Sequence, residues 1–331
     1  MEKMWSMLVH LNMCFTSSYD KGNCLHWDEE VWDMILDGAV DSGLNTIIID
    51  VNNAVEFASH PEIAAPDAWS KARVKKEIER CRALGITLIP KLNFSSAHSM
   101  WLGEYYRMTS TPTYYKVCRD LITEVYEMFD SPAYIHLGMD EESLQYLKTR
   151  DYILCRQGEL FWHDLRFLVD CVKSTGAMPW IWSSPLFDHP EEFKKHFDPK
   201  EMVISPYHYN AIRREHWTPI TSRSEYQVYY NEGEYANMGI EFVEQDPFLV
   251  KFMEVAIPLM KEGYLYAPSV SVFNRCPYNT SDVIEYFRDN APDDQIYGYV
   301  TAPWFSTTKK NVDYFKESFD LIKEAKKKFY N

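Results

Sequence analysis

The sequence lacks the signatures of three large classes of protein. No stretch of about 18 consecutive apolar residues occurs, so no membrane span is expected. No apolar run is followed by a GxGxxG or GxxxxGK motif, so the common nucleotide-binding loops are not expected either. Basic residues are in the minority, with 34 Lys and Arg against 49 Asp and Glu and a formal net charge of −15. Because an acidic surface repels phosphate backbones, nucleic acid is not predicted as a partner.

The cysteine pattern favours neither a metal site nor a disulfide framework. The seven cysteines are odd in number, and no CxxC or mixed His/Cys metal spacing is present. We therefore predict no metal and no cofactor, and we interpret the thiols as reduced, buried side chains of a cytoplasmic protein. The cysteines are Cys14, Cys24, Cys81, Cys118, Cys155, Cys171 and Cys276.

Short apolar runs alternate with amphipathic helices eight times along the chain, and 46% of the 331 residues are hydrophobic. The runs are almost continuously apolar, which is typical of parallel strands buried on both faces. Eight such units without a change in composition predict an α/β fold, a single (β/α)8 TIM barrel over residues 1–331. An open, doubly wound sheet of six to eight strands is the alternative. The predicted strands are Met4–Asn12, Asn45–Val51, Ile86–Phe94, Ala133–Met139, Met178–Ser183, Met202–Tyr209, Tyr264–Phe273 and Ile296–Trp304. The predicted helices are Asp28–Ser42, Ser70–Leu84, Tyr114–Phe129, Leu160–Thr175, Glu191–Phe197, Asp246–Gly263, Ser281–Asn290 and Val312–Phe329.

One connection, Asn210–Gln245, is much longer than the others and is rich in aromatic and acidic residues. A segment of this length in a compact domain is usually a lid or an interface. A plain excursion over the surface is the other interpretation, and the sequence leaves both open.

The fourth predicted strand ends in residues 134–142, which read YIHLGMDEE. Since side chains alternate along a strand, His136, Gly138 and Asp140 share one face, and the glycine leaves room for a ligand. Glu141 follows where the strand turns into its loop, and the catalytic residues of barrel enzymes lie at such carboxyl ends. Two adjacent carboxylates in a confined site repel each other, so we expect one to hold a proton and the other to stay ionised. The alternative is that the three acids cap the following helix.

The other strand ends are rich in groups that bind sugars. Trp and Tyr stack on the apolar face of a sugar ring, and carboxylates accept paired hydrogen bonds from neighbouring hydroxyls. Asp50 fits the second role, although it could equally form a structural ion pair with Lys91 on the next strand. The candidate substrate-binding residues are His10, Asp50, Asn93, His98, His136, Trp180, Trp182, Tyr207, Tyr209 and Trp304.

Three segments carry a resemblance to a known family. The segment HLGMDE, residues 136–141, resembles the His-x-Gly-x-Asp-Glu signature of the family 20 glycoside hydrolases, the β-N-acetylhexosaminidases and their relatives. Residues 89–98 (IPKLNFSSAH) resemble the third-strand segment of that family, and residues 298–304 (GYVTAPW) resemble its eighth-strand segment. The three likenesses occur in the same order and on the corresponding strands.

The resemblance implies a retaining glycosidase in which the substrate's own 2-acetamido group attacks the anomeric carbon. The family's general acid/base maps onto Glu141, and the carboxylate that holds and polarises the acetamido group maps onto Asp140. The histidines that support the acid/base map onto His136 and His98. The aromatic pocket around the acetamido group would be drawn from Trp180, Trp182, Trp304, Tyr207 and Tyr209.

The distribution of carboxylates agrees with this mechanism, but several family features are missing. An ordinary retaining glycosidase needs a second carboxylate about 5 Å from the acid as its nucleophile, and the ends of the sixth, seventh and eighth strands have none. Lys91 and Asn93 replace the acids of the third-strand motif, and residues 10–12 (HLN) stand where the family has an arginine for sugar hydroxyls. We therefore expect the reaction machinery to be kept and the recognition of hydroxyls to be rebuilt.

The leading hypothesis is therefore an exo-acting, hexosaminidase-like glycosidase with Glu141 and Asp140 as its catalytic residues and a carbohydrate as its partner. Two rivals stay open. One is a metal-dependent sugar isomerase or epimerase with ligands from separate strands, and the other is a non-catalytic carbohydrate-binding barrel. Association into a homo-oligomer also stays open.

Overall fold

The computed structural model describes residues 2–12, 24–142, 153–216 and 247–330. Within these residues, parallel strands form one sheet that curls into a barrel, in the order β7-β6-β5-β4-β3-β2-β1-β9-β8. The strands are β1 (Met4–His10), β2 (Thr46–Asp50), β3 (Thr87–Lys91), β4 (Tyr134–His136), β5 (Met178–Trp182), β6 (Val203–Ser205), β7 (Leu265–Tyr266), β8 (Ser269–Val270) and β9 (Gly298–Thr301).

Helices follow the strands and cover the outside of the barrel, as the α/β prediction requires. A 3₁₀ helix, Ser99–Met108, lies between β3 and the third α-helix. The α-helices are α1 (Glu29–Ser42), α2 (Lys71–Ala83), α3 (Pro112–Met128), α4 (Glu159–Thr175), α5 (Ser184–Asp188), α6 (Pro190–His196), α7 (Pro247–Lys261), α8 (Asn279–Asn290) and α9 (Val312–Tyr330).

Local sequence signals explain where several helices begin and end. The Ser70 hydroxyl accepts a hydrogen bond from the Arg73 N–H at 3.3 Å, so Ser70 caps α2 as predicted. Gly43 follows α1 with a positive φ of 71°, a conformation that glycine adopts at low cost. The predicted helices are confirmed to within a few residues at each end.

The seventh predicted strand, Tyr264–Phe273, is split in two and closes the barrel. On one side the Ala267 N–H donates to the Ile204 carbonyl at 2.9 Å. On the other side the Val300 N–H donates to the Pro268 carbonyl, also at 2.9 Å. Proline has no N–H to add to the ladder, so regular pairing stops at Pro268 and resumes with the next residue. The α/β barrel fold is thereby confirmed, with its seam at this proline.

The regular strands are shorter than predicted, and the fourth and sixth show the cause most clearly, because there the backbone leaves the sheet at the barrel mouth. The fourth was predicted as Ala133–Met139 but pairs only over Tyr134–His136. The sixth was predicted as Met202–Tyr209 but pairs only over Val203–Ser205. In both cases the remaining residues turn into the loops that carry the candidate site residues.

Apolar residues fill both faces of the strands. On β1, Leu8 packs inside the barrel with Ile48, Ile89 and Val300, whereas its neighbour Met7 packs between the barrel and the helices. Burial on both faces explains why the strands are continuously apolar in the sequence. None of the helices in the described part of the chain is long and apolar enough to cross a membrane.

The cysteines are less uniformly buried than predicted. Cys24 is exposed and Cys155 is half-buried, since both lie in loops outside the core. Four are buried as expected, and Cys14 lies outside the described residues. The buried cysteines are Cys81, Cys118, Cys171 and Cys276.

Two predictions about the organisation of the chain, the long connection as a lid and the single domain, stay predictions. Most of the long connection predicted at 210–245 lies outside the described residues, so its role as a lid stays a prediction. The assignment of residues 1–331 to a single domain stays a prediction as well.

Replacing Gly298 with alanine tests how closely β9 approaches β1. Gly298 pairs with Met4, and an added Cβ would overlap the Met4 carbonyl oxygen. Because the obstacle is backbone, the two strands have to move apart. We expect Gly298→Ala to lower the free energy of unfolding by about 3 kcal/mol in urea denaturation.

Gly85→Ala is the matched control. An added Cβ at Gly85 meets no atom within 4 Å, so only its positive φ of 74° is strained. That strain costs about 1 kcal/mol. Equal losses for the two variants would contradict the close approach of β9 and β1.

Candidate active site

A row of polar side chains crosses the barrel mouth because the first four strands end in register. His10 pairs with Asp50, Asp50 with Lys91, and Lys91 with His136 on neighbouring strands. All four are buried. The Lys91 ammonium donates to Asp50 Oδ2 at 2.5 Å, and His10 Nδ1 lies 3.2 Å from the same oxygen. The structural ion pair considered for Asp50 is therefore present.

The charges in this row are determined by burial and by the lysine. Burial lowers the pKa of His10 more than its contact with Asp50 raises it, so the imidazole is neutral near pH 7. Burial by itself would raise the pKa of Asp50, but Lys91 and the hydrogen bond with His10 bring it below its usual value. The row therefore contains one ammonium and one carboxylate next to two imidazoles.

The turn after β4 places the two candidate catalytic acids over the mouth. Gly138 has a φ of +73°, and Met139 and Glu141 have positive φ values of 65° and 56°. We expected Gly138 to leave room for a ligand, but the Asn93 side chain fills this space, and an added Cβ would overlap its amide oxygen. The Asn93 amide donates to Asp140 Oδ1 at 2.9 Å. The glycine thus allows Asn93 to reach and orient Asp140.

His98 lies between the two acids and joins them. Its Nε2 is 2.9 Å from Glu141 Oε2 and 3.4 Å from Asp140 Oδ2. Burial alone would lower the pKa of His98, but the two carboxylates raise it to about 10. For Asp140, burial opposes ionisation, yet the positive charge of His98 and the hydrogen bonds hold its pKa well below the usual range.

For Asp140, this arrangement corrects the expectation that repulsion could leave a proton on either acid. The extra proton of the cluster lies on His98, because an imidazolium between two carboxylates is stabilised by both. Asp140 is accordingly ionised. The side chain of Glu141 is 29% exposed and that of Asp140 only 11%, so Glu141 is the acid more open to a ligand.

His136 lies beneath the acids and supports the turn. Its Nδ1 accepts the Gly138 N–H at 3.0 Å, so the proton of the neutral ring is assigned to Nε2. Burial lowers the pKa of His136 well below its usual value. The ring stacks on Trp180 with centroids 5.6 Å apart. The hydrogen bond seen for His136 is therefore with the backbone beside the acids, and not with Glu141.

Four aromatic rings form one wall of the mouth, and we call them the aromatic quartet. Trp182 lies 5.4 Å from Trp304 between ring centroids and 6.1 Å from Tyr207. Tyr209 completes the circuit, 5.7 Å from Tyr207 and 6.3 Å from Trp304. Trp180 lies below the quartet and donates from Nε1 to Ser205 Oγ at 2.8 Å.

The two tyrosines of the quartet lie near the acids. Burial raises the pKa of both Tyr207 and Tyr209 well above the usual value, and the negative charges of Asp140 and Glu141 raise each further. This effect of the two acids on the pKa of each tyrosine indicates that the tyrosines lie within electrostatic range of the acid pair. All twelve side chains predicted for the site therefore lie at the barrel mouth or in the layer directly beneath it.

Backbone strain occurs at this end of the barrel. Five of the nine non-glycine residues with positive φ in the described part of the chain lie in loops that follow strands here, and such strain is frequent at functional sites. Glu141 and Trp304 are both among the candidate site residues. The strained positions at the mouth are Asn52, Met139, Glu141, Arg275 and Trp304.

Sequence reasoning missed a pair of residues beside the acids. The Glu142 carboxylate accepts from the Ser96 N–H at 2.7 Å and from the Ser96 hydroxyl at 2.8 Å, and it contacts the guanidinium of Arg156. Its only signal in the sequence was the third acid of Asp-Glu-Glu, which we had considered as a helix cap. Arg156 had no signal, because it lies in an irregular stretch without a pattern.

Two groups of side chains in the described part of the chain have ligand atoms close enough to surround a cation. One is His98, Asp140 and Glu141, and the other is the outer cluster of Glu159, Glu192 and His196. In the first group the imidazolium hydrogen-bonds to the carboxylates, so a proton already accounts for the spacing of the ligand atoms.

The fold and this mouth define a barrel of the kind that bears active sites at the carboxyl ends of its strands. No family model matches the chain, and no curated protein matches it. Solved structures of family 20 glycoside hydrolases do match, so the resemblance seen in the sequence is confirmed at the level of the fold.

Three of these structures illustrate the match. A β-N-acetylhexosaminidase from Bacteroides fragilis has a TM-score of 0.62 at 14% identity, over 97% of this chain and 65% of that one. An exo-β-N-acetylglucosaminidase from Vibrio harveyi has a TM-score of 0.62 at 13% identity, over 98% of this chain and 54% of that one. Dispersin B has a TM-score of 0.60 at 13% identity, over 98% of this chain and 99% of its own.

The extent of these matches limits what they imply. The chain spans less than two thirds of the Bacteroides and Vibrio proteins. At such low identity the match establishes the fold, the barrel of family 20 catalytic domains, and it does not by itself assign an activity.

The shifted pKa of His98 predicts how stability depends on pH. The pKa is about 10 in the folded protein and 6.5 in an unfolded chain. The folded state therefore binds an extra proton between these values, and its stabilisation is complete below pH 6.5 and is lost as the pH rises through 10. As the pH rises through this window, the contribution of His98 to the free energy of unfolding should decrease by about 1.4 kcal/mol per pH unit.

The variant His98→Gln isolates this contribution. We expect urea denaturation between about pH 7 and about pH 9 to give a shallower decline for His98→Gln than for the unmodified protein. Titrating groups distant from the cluster contribute equally to both proteins and cancel in the difference. The same slope in both would mean that His98 does not hold the extra proton.

Proposed function

We propose that this protein is a retaining, exo-acting glycosidase of the β-N-acetylhexosaminidase type. Glu141 serves as general acid/base, and Asp140 polarises the 2-acetamido group of the substrate. The observation that carries the proposal is the Asp140–His98–Glu141 cluster at the mouth of a barrel with the family 20 fold. The finer assignments of substrate and mechanism rest on the chemistry of the individual groups.

The two acids differ in the way that the two roles require. Asp140 is held by the Asn93 amide and by His98, so its charge is fixed in direction and suited to orient an amide N–H of the substrate. Glu141 is the more exposed, and its carboxylate is bound by His98 at 2.9 Å. An acid that exchanges protons with substrate and water has to be reachable, which favours Glu141 for that role.

The proton for the leaving group comes from the cluster. It lies on His98 in the free protein, where two carboxylates stabilise it. When a substrate amide donates a hydrogen bond to Asp140, it offsets part of the negative charge of that carboxylate. The imidazolium of His98 is then stabilised less, which favours transfer of its proton to Glu141 across their hydrogen bond. Glu141 then protonates the glycosidic oxygen, and it later accepts a proton from the attacking water.

The nucleophile is supplied by the substrate in this proposal. Among the described residues, no Asp or Glu directly follows β6, β8 or β9 at the mouth. Asp50 does lie at the mouth, but it is paired with the Lys91 ammonium, which lowers its nucleophilicity. The acetamido oxygen can instead attack the anomeric carbon, with Asp140 stabilising the positive charge that develops on the cyclised group.

The sugar is bound by the aromatic quartet and the polar row. The apolar C–H face of a pyranose stacks on indole and phenol rings. In the quartet, Tyr207, Tyr209 and Trp304 are partly exposed and can offer such a face, whereas Trp182 is buried and packs against Tyr207 and Trp304. Residues 10–12 (HLN) stand where the family has an arginine, and Lys91 and Asn93 replace the acids of its third-strand motif. We therefore propose a 2-acetamido sugar whose hydroxyl pattern or linkage differs from terminal N-acetylglucosamine. A Vibrio and a Streptomyces relative in fold bind N-acetylglucosamine, which supports a carbohydrate ligand. A cytoplasmic location remains a prediction from the reduced thiols.

A screen of aryl glycosides tests the proposed function. It should include β-N-acetylglucosaminide, β-N-acetylgalactosaminide, β-glucoside and β-galactoside, with a thiazoline that mimics the cyclised acetamido intermediate as inhibitor. We expect turnover of a 2-acetamido glycoside and competitive inhibition by the thiazoline. Binding without turnover would favour the carbohydrate-binding barrel, and activity that a chelator abolishes would favour the metal-dependent rival.

Glu141→Gln tests the acid/base role. The amide keeps the shape of the side chain but cannot donate the proton, so kcat on a poor leaving group should fall about 10² to 10⁴-fold. The dissociation constant of the thiazoline should change little, because the aromatic quartet and Asp140 are intact. Near-normal turnover on a confirmed substrate would remove Glu141 from this role.

A further inference from the structure

Glu142 connects the two loops that carry the catalytic cluster. It directly follows Glu141, and both of its carboxylate oxygens bind Ser96 in the loop after β3, one through the N–H at 2.7 Å and one through the hydroxyl at 2.8 Å. The N–H of His98 donates to the Ser95 carbonyl at 3.0 Å, so Ser95 to His98 form a tight turn. Because Ser96 lies inside this turn, a carboxylate that holds Ser96 also holds the backbone from which the His98 side chain extends.

Arg156 stabilises this connection. It is buried, and one guanidinium nitrogen contacts Glu142 and donates to the Phe94 carbonyl at 2.9 Å. A second nitrogen lies 3.5 Å from the buried carboxylate of Asp164. Burial would lower the pKa of Arg156, but the charge of Glu142 raises it above its usual value. Charge-assisted hydrogen bonds of this kind are stronger than neutral ones, and a buried charge is costly to leave unpaired.

We propose that Glu142, backed by Arg156, is a positioning residue that sets the distance between His98 and the Asp140–Glu141 pair. The two loops are also joined by the hydrogen bond from the Phe94 N–H to the Leu137 carbonyl at 3.0 Å, but that bond lies nearer to the strand ends, whereas Glu142 binds within the turn that carries His98. The kinetic part of the inference rests on the proposed function, whereas the geometric part does not.

The expected consequence is a change in the charge of His98. The charged and titratable groups around it are Asp140 and Glu141 after β4, His10 at the end of β1 and, through Asp140, Lys91 on β3. Among these groups, the two carboxylates are the ones that stabilise the imidazolium. If the loop after β3 shifts, both of these contacts lengthen together.

Glu142→Gln is the test, and Glu201→Gln is its matched control. The side chain of Glu142 is 12% exposed and that of Glu201 is 9% exposed, and each carboxylate binds an arginine and a backbone N–H. Glu201 lies just before β6, at the opposite end of the barrel from the cluster. The control therefore loses a comparable ion pair without touching either catalytic loop.

The first readout is the charge of His98 in proteins labelled with ¹⁵N-histidine, assigned with His98→Gln. We expect the midpoint of the His98 titration to be the same in the unmodified protein and in Glu201→Gln, and to lie about one pH unit lower in Glu142→Gln. An unchanged titration of His98 in Glu142→Gln would overturn the proposal, since a purely structural role would destabilise the fold without moving it.

The second readout is kinetic, on the aryl glycoside that the protein hydrolyses. In Glu142→Gln we expect kcat to fall about 10 to 100-fold, as misplaced catalytic groups lose rate, while KM changes less than about threefold. If the unmodified protein has no glycosidase activity, the proposed function fails, and the ¹⁵N titration alone decides the positioning role. Should Glu142→Gln fail to fold, Ser96→Ala removes one of the two bonds to Ser96 and should give a smaller shift in the same direction; no shift there would overturn the proposal.

Discussion

The candidate site depends on one proton that two carboxylates share through an imidazole. Asp140 and Glu141 are adjacent in the chain and would repel each other at close range if nothing lay between them. His98 supplies a positive charge at that point, and its raised pKa measures how strongly the two acids hold it. Asn93, the Gly138 turn and the Glu142–Arg156 pair all act on the geometry of this contact. The arrangement lets a buried acid stay ionised while its neighbour remains available to a ligand.

Parallel pairing brings the remaining groups to the same place. Neighbouring strands in register present their last residues at one height, so His10, Asp50, Lys91 and His136 form a row although they lie far apart in the chain. The apolar layer below them excludes water, which strengthens every charge interaction in the row. The aromatic quartet arises in the same way from the ends of β5, β6 and β9. The barrel therefore brings side chains from the ends of successive strands together at its mouth.

The α/β barrel could be predicted from the sequence because one pattern, an apolar strand followed by an amphipathic helix, is repeated eight times along it. The break at Pro268 could have been foreseen from the missing N–H, but the hydrogen bonds that close the barrel there depend on both neighbouring strands. The candidate acids were visible as a local motif. The proton on His98, the Asn93 side chain beside Gly138 and the link from Glu142 to Arg156 were not, because each arises from residues that only the folded chain brings together. Pairing of Asp50 with Lys91 was one of two interpretations, and the burial of both side chains favours the ion pair.

The apolar cluster beneath the mouth has a consequence for how a polymer would be handled. Trp180 is buried, bonded to Ser205, and packed with Leu8, Ile48 and Val203 in the barrel interior. Among the described residues, the interior of the barrel is thus filled from wall to wall and offers no passage from the mouth to the opposite end. Under the proposed function, a saccharide therefore enters and leaves on the same side of the barrel as the acids.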